Sequence, residues 1–211
     1  MYKEYDFTDG GMLEIVGDSF IVDGSALFGV VSEDYAAKEH KWYLSQSLNV
    51  NDMEGEVPTI WKDIADINGN INSNYGYLAL SDGNGKQFYN AVETLKKNKN
   101  SRQAIMVYTR PSIHTDAFAL SRQDFICTNT QQFLIRKNKL HMIVNQRSCD
   151  AVYGYRYDMM WANYLRQRAL KELQKVYKEG IYMGDLILQT GSLHVYPRHF
   201  KLIEDKINEN K

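Results

Sequence analysis

Residues 125–148 constrain the fold most. "FICTNTQQFLIR" and "KLHMIVNQRS" flank the two-residue connection "KN", and two strand-forming runs joined this tightly read as a β-hairpin. A fold must then supply neighbours for that hairpin. "RQAIMVYT" and "DLILQTGSLHVY" read as further strands, and "MLEIVGDSFIV" as a pair of strands turning at Gly17 and Asp18.

Helical patterns lie between these strands. Asp34 to Leu48 carries an apolar stripe at Tyr35, Trp42 and Tyr43. "QFYNAVETLKKN" is amphipathic, with basic residues at its C-terminal end, where the helix dipole favours them. Asp158 to Lys178 offers Trp161, Leu165, Leu170 and Leu173 to one face, and Pro197 opens a last helix. "SNYGYLALSDGNGK" reads as loop and short strand; its GNGK lacks the spacing and the Ser/Thr of a phosphate loop. Hairpins mixed with helices predict an α+β (mixed α/β) fold, a single domain over 1–211 with a large, partly antiparallel sheet flanked by helices. Only three prolines and no low-complexity tract argue against a linker.

Composition narrows the function classes. A net charge of -1 provides no basic field, so a nucleic-acid polymer is not the expected partner. Two cysteines, Cys127 and Cys149, make neither a disulfide framework nor a CxxC metal pattern. No 18-residue apolar run and no leader-like N-terminus are present, so the expectation is a protein of a reducing cytoplasm, away from membranes.

Several residues invite chemistry. Cys127, on a predicted strand, is either a small buried hydrophobe or a nucleophile. "QRSCD" packs a guanidinium, a hydroxyl and a carboxylate into five residues, and Arg147 with Ser148 suits an anion. Glu39 is a solvated helix charge unless it faces a pocket, where apolar neighbours would raise its pKa and let it exchange protons. His194 and Tyr196 alternate on one strand face and serve equally as core or ligand contacts. Asp158 stands where the long helix begins and would serve as its cap, or as a recognition group.

Taken together, "EHKWYL", "TIWKDIADINGNINSNYG", "NSRQAIMVYTRP", "DFICTNTQQF", "QRSCDAVYGYRYD" and "GSLHVYPRHF" resemble the thymidylate synthase superfamily, and within it the deoxycytidylate hydroxymethylase branch of T-even-type phages. The resemblance runs from about Glu14 to Phe200. It implies Cys127 as the nucleophile, Glu39 as general acid/base and Tyr75 as the tyrosine that helps remove the ring proton. It also implies Arg147 and Ser148 at the nucleotide phosphate, and Arg102 reaching the phosphate of the other subunit in a homodimer with shared sites. His194 and Tyr196 would bind the deoxyribose 3′-hydroxyl, while Asp150 and Trp61 would line the folate side. Asp158 replaces the asparagine of thymidylate synthases and would read cytosine. The co-substrate implied is 5,10-methylenetetrahydrofolate, with no metal. The expected activity is transfer of a one-carbon unit to carbon 5 of dCMP with water capture; a dCMP or dUMP methylase and a non-catalytic nucleotide-binding relic are the alternatives.

Three departures stand out. Arg102-Gln103 replaces two adjacent arginines, "DFTDGG" is acidic where the family has a basic phosphate ligand, and Thr128 follows the nucleophile in place of histidine. Another cation, such as Arg110, would then have to serve the phosphate.

Overall fold

The computed structural model describes residues 5–6, 11–178 and 180–209; residues 7–10 of the acidic "DFTDGG" segment lie outside them. The strands are β1 (Tyr5–Asp6), β2 (Leu13–Ile21), β3 (Ile105–Val107), β4 (Thr128–Arg136), β5 (Lys139–Gln146), β6 (Cys149–Asp150) and β7 (Tyr182–Val195). The helices are α1 (Glu33–Ser45), α2 (Thr59–Ile64), α3 (Tyr75–Leu80), α4 (Gln87–Lys97), α5 (Ile113–Leu120), α6 (Gly154–Gln174) and α7 (Phe200–Glu209). One seven-stranded sheet runs in the order β1-β2-β7-β5-β4-β3, with β6 alongside β7. β7 pairs in parallel with β5 and β6; the other pairs are antiparallel. The fold class is α+β with a mixed sheet.

The hairpin turns at Lys137 and Asn138, both at positive φ (49 and 56), as a two-residue connection that follows the strand twist demands. Along β5 burial alternates, with Leu140, Met142, Val144 and Gln146 turned to the core. α6 returns across that face and buries Tyr155, Trp161, Leu165, Ala169 and Leu173 in the same cluster. Leu170, predicted for this face, is half-buried. A register shift between Thr128 and Thr130 marks a bulge at the start of β4. Such bulges re-aim side chains, here directly beside Cys127.

Two predicted elements differ. "MLEIVGDSFIV" is one strand, not a pair: β2 runs through Gly17 with the same antiparallel register on β7 before and after it. Gly17 sits at φ 72 between residues paired with β7 on either side, in a strand whose partner lies at the far end of the chain. "SNYGYLAL" is not loop and strand but α3. The buried Asn74 caps it, accepting from Tyr77 N at 2.8 Å and donating to the carbonyls of Trp42 (3.0 Å) and Ser47 (2.8 Å). α3 therefore lies hard against α1, so close that a Cβ at Gly76 would come within 1.7 Å of the Tyr43 carbonyl oxygen. Only glycine fits there.

Candidate active site

Glu39 faces inward from α1, buried beside Trp42 and Tyr43. Its Oε1 accepts from the Tyr35 hydroxyl at 2.6 Å and from Trp61 Nε1 at 3.3 Å. Trp61 Nε1 also lies 3.1 Å from the Tyr35 oxygen. Burial pushes the Glu39 pKa up to about 7 against those hydrogen bonds, and the charge of Asp158 adds to the rise. The carboxyl is poised to exchange protons near neutral pH.

Cys127 lies one residue before β4, not on the strand as predicted, and is half-buried. Arg147 holds the segment in place. Its Nε donates to Ile126 O (3.1 Å) and Nη2 to Phe125 O (2.7 Å), and Nη2 stands 3.5 Å from the Cys127 sulfur. Arg147 lowers the pKa, but burial outweighs it and Asp158 and Asp124 oppose it, leaving the thiol at about 11. Burial keeps it protonated.

Asp158 is the fifth residue of α6, so it does not cap the helix; Tyr153 occupies that place. Its Oδ2 accepts from Gln146 Nε2 at 2.6 Å, and the same amide nitrogen lies 3.2 Å from Thr128 Oγ1. Burial raises the Asp158 pKa to about 7, with Gln146 lowering it and Asp150 raising it. Tyr75 is buried, and burial followed by the charges of Asp158 and Cys127 pushes its phenol well above the ordinary tyrosine value. Cys127, Tyr75, Asp158 and Glu39 are thus linked through space or through a shared charge.

The remaining predicted residues fall around this centre. His194 is buried at the end of β7, and Tyr196 lies just beyond the strand, its ring 5.1 Å from that of His194. Asp150, half-buried on β6, accepts from Val152 N at 2.9 Å. Ser148 is half-buried beside the exposed Arg147. Arg102 is exposed, and its carbonyl accepts from Gln132 at 2.8 Å; no described contact joins it to Cys127, Arg147 or Asp158. Arg110 does not turn to a phosphate. Its Nη2 pairs with Asp116 and lies 3.0 Å from Asn72 Oδ1. No cluster that could hold a metal exists among the described residues, and no helix there is long and apolar enough to cross a membrane.

Sequence reasoning missed three supporting residues. Tyr35 reads as part of an apolar stripe, although it stands four before Glu39 on one helix face, a spacing that brings side chains together. Gln146 gave no signal beyond its place on a strand. Asp124 is buried, and its carboxylate takes the amides of Asn72 and Ser73 (2.6 Å each) and the Ser73 hydroxyl (2.5 Å). It ties the segment leading to Cys127 to the one leading to Tyr75.

Comparison with known proteins fits this arrangement. A family model described as thymidylate synthase matches residues 30–211. Deoxycytidylate 5-hydroxymethyltransferase of Enterobacteria phage T4 is 42% identical over 207 residues, covering 96% of this chain and 84% of the relative; that of phage T6 is 41% identical over 211 residues, with the same coverage. Thymidylate synthase of Francisella tularensis subsp. holarctica is 24% identical over 178 residues, covering 79% of this chain and 62% of the relative. The structure of thermostable thymidylate synthase A from Bacillus subtilis shares the fold, with a TM-score of 0.64 at 23% identity over 92% of this chain and 69% of that one.

Proposed function

The chain belongs to the thymidylate synthase family, and from that premise we propose that it is a deoxycytidylate 5-hydroxymethyltransferase. It takes a one-carbon unit from methylenetetrahydrofolate, as a co-substrate, to carbon 5 of dCMP and captures water in place of hydride. Asp158 carries the choice of base. A carboxylate only accepts when ionised, so it pairs with the cytosine amino group and favours a proton on ring nitrogen 3. The uracil carbonyl would instead oppose it.

Carbon 5 of a pyrimidine is too weak a nucleophile on its own. Cys127 adds to carbon 6 and makes carbon 5 enamine-like, losing its proton as the substrate fills the pocket. Arg147, the cation in contact with the sulfur, stabilises the thiolate that forms. Tyr75 assists removal of the carbon 5 proton, and Glu39 manages protons on the base and on the incoming water. Arg147 and Ser148 hold the phosphate, His194 and Tyr196 the 3′-hydroxyl, and Asp150 and Trp61 the folate side.

The protein works as a homodimer in the cytoplasm. Strand register puts Ile21, Ile187, Ile143, Gln132 and Ile105 in one row across the sheet. Ile21 and Ile105 are 61% and 42% exposed, while Leu140, Met142 and Val144 face the other way. An open apolar sheet face of this kind suits a second copy. Arg102 lies beside that row, its carbonyl accepting from Gln132, a position from which it would reach a partner's phosphate.

Incubation of the protein with 5-tritiated dCMP and methylenetetrahydrofolate tests the reading. Tritium release and 5-hydroxymethyl-dCMP without dihydrofolate are expected. Dihydrofolate accumulating with the label would make it a methylase, and no release would leave only a binding protein.

A further inference from the structure

Both donors that reach Glu39, the Tyr35 hydroxyl and the Trp61 indole, fall on the same oxygen, Oε1. No described hydrogen bond is made to Oε2. A cavity of about 10 Å³ borders Glu39, lined also by His40, Tyr157 and Trp161, room for about one water. The Tyr35 ring is itself fixed, edge-on to Tyr157 with centroids 4.5 Å apart.

We propose that Tyr35 is a positioning residue for the water-capture step, claiming Oε1 of Glu39 so that Oε2 is left to orient and deprotonate the attacking water. The inference rests on the hydroxymethyltransferase reading and names the side chain that aims its base. In the step itself, the water oxygen bonds to the exocyclic methylene carbon while its proton passes to Oε2. The π pair of that methylene moves into the ring. The ring pair then restores the double bond between carbons 5 and 6 as the carbon 6–sulfur bond breaks, and the electrons of that bond leave with Cys127 as thiolate. A carboxylate free to rotate would present either oxygen at random. Tyr35 removes that freedom at little entropic cost, because a half-buried phenol has few torsions to order.

A phenol donating to a carboxylate favours the ionised form, and this hydrogen bond does lower the Glu39 pKa against burial. Its loss therefore raises that pKa, an effect that packing alone would not produce. The test is Tyr35→Phe, which keeps the ring and removes only the hydroxyl. The infrared carbonyl band of protonated Glu39, assigned by its loss in Glu39→Gln, is titrated in both forms without substrate. Its midpoint is expected to move upward in Tyr35→Phe by about one unit. With substrates, Tyr35→Phe is expected to form 5-hydroxymethyl-dCMP about 10- to 100-fold more slowly, while tritium release falls less and added 2-mercaptoethanol traps the methylene species as a thioether. Coincident midpoints, or product formed at the wild-type rate, would overturn the proposal. Methyl product from the wild type would sink the hydroxymethyltransferase reading instead, and the band titration would still decide whether Tyr35 governs Glu39.

Discussion

Glu39 on α1 and Asp158 on α6 are each held by one short hydrogen bond, and burial pushes the pKa of each up to about 7. Arg147 and Arg102 are exposed, and Gln103 follows Arg102 where the resemblance implies a second arginine. The contrast separates two tasks. Proton transfer and base reading depend on removing water, which burial within a single chain accomplishes. Phosphate capture depends on cations, and in the proposed dimer the second copy would supply those that this chain does not expose there.

Removing the proposed nucleophile is expected to have the largest effect. Cys127→Ser is expected to fold yet lose turnover by roughly 10⁴-fold or more, because an alcohol of much higher pKa cannot replace the thiolate. Product assays on the purified variant check this, and substantial residual activity would make Cys149 the nucleophile. At the rim, mixing inactive Arg102→Ala with inactive Cys127→Ser subunits is expected to restore activity, since one hybrid site holds both intact residues. Verified heterodimers without activity would place Arg102 outside a shared site.

The pocket carboxyls also leave a mark on stability. Their folded pKa values lie above those of the unfolded chain, so the folded state binds more protons between about pH 4 and pH 7. Stability is therefore highest below that window and falls as pH rises through it, by roughly a few kcal/mol for each group. Asp158→Asn is expected to flatten this fall, which melting curves from pH 5 to pH 8 would measure; an unchanged slope would mean that Asp158 ionises freely. Cys149→Ser marks the small end. Cys149 is buried and its thiol is pushed beyond ionisation by burial, so its replacement is expected to leave kcat within about twofold and cost about 1 kcal/mol of stability by denaturant titration.

The two regions were unequally legible in the sequence. The β4–β5 hairpin and α6 show in local pattern because their partners are close in the chain. α3 does not, since Tyr-Gly-Tyr carries little helix preference and its cap, Asn74, depends on carbonyls about thirty residues away. β2 looked like a hairpin because its true partner, β7, is remote. Among site residues, the resemblance implies the roles proposed for Cys127, Glu39, Tyr75 and Asp158, but not their electrostatics. Arg147 lowers the Cys127 pKa, but burial outweighs it, and burial does not show in the local sequence. Tyr35 was visible at helical spacing from Glu39, although a tyrosine beside Trp42 and Tyr43 looks like core until the hydrogen bond is seen.

The central claim is that a carboxylate at 158 selects cytosine. The most direct test is kcat/KM on dCMP and on dUMP for the wild type and for Asp158→Asn. The amide keeps the shape of the side chain but can donate as well as accept. Wild type is predicted to prefer dCMP, and the substitution to move preference towards dUMP by roughly tenfold or more, the effect of mispairing one enclosed polar group. A wild type that already prefers dUMP, or a preference unmoved by the substitution, would contradict the account.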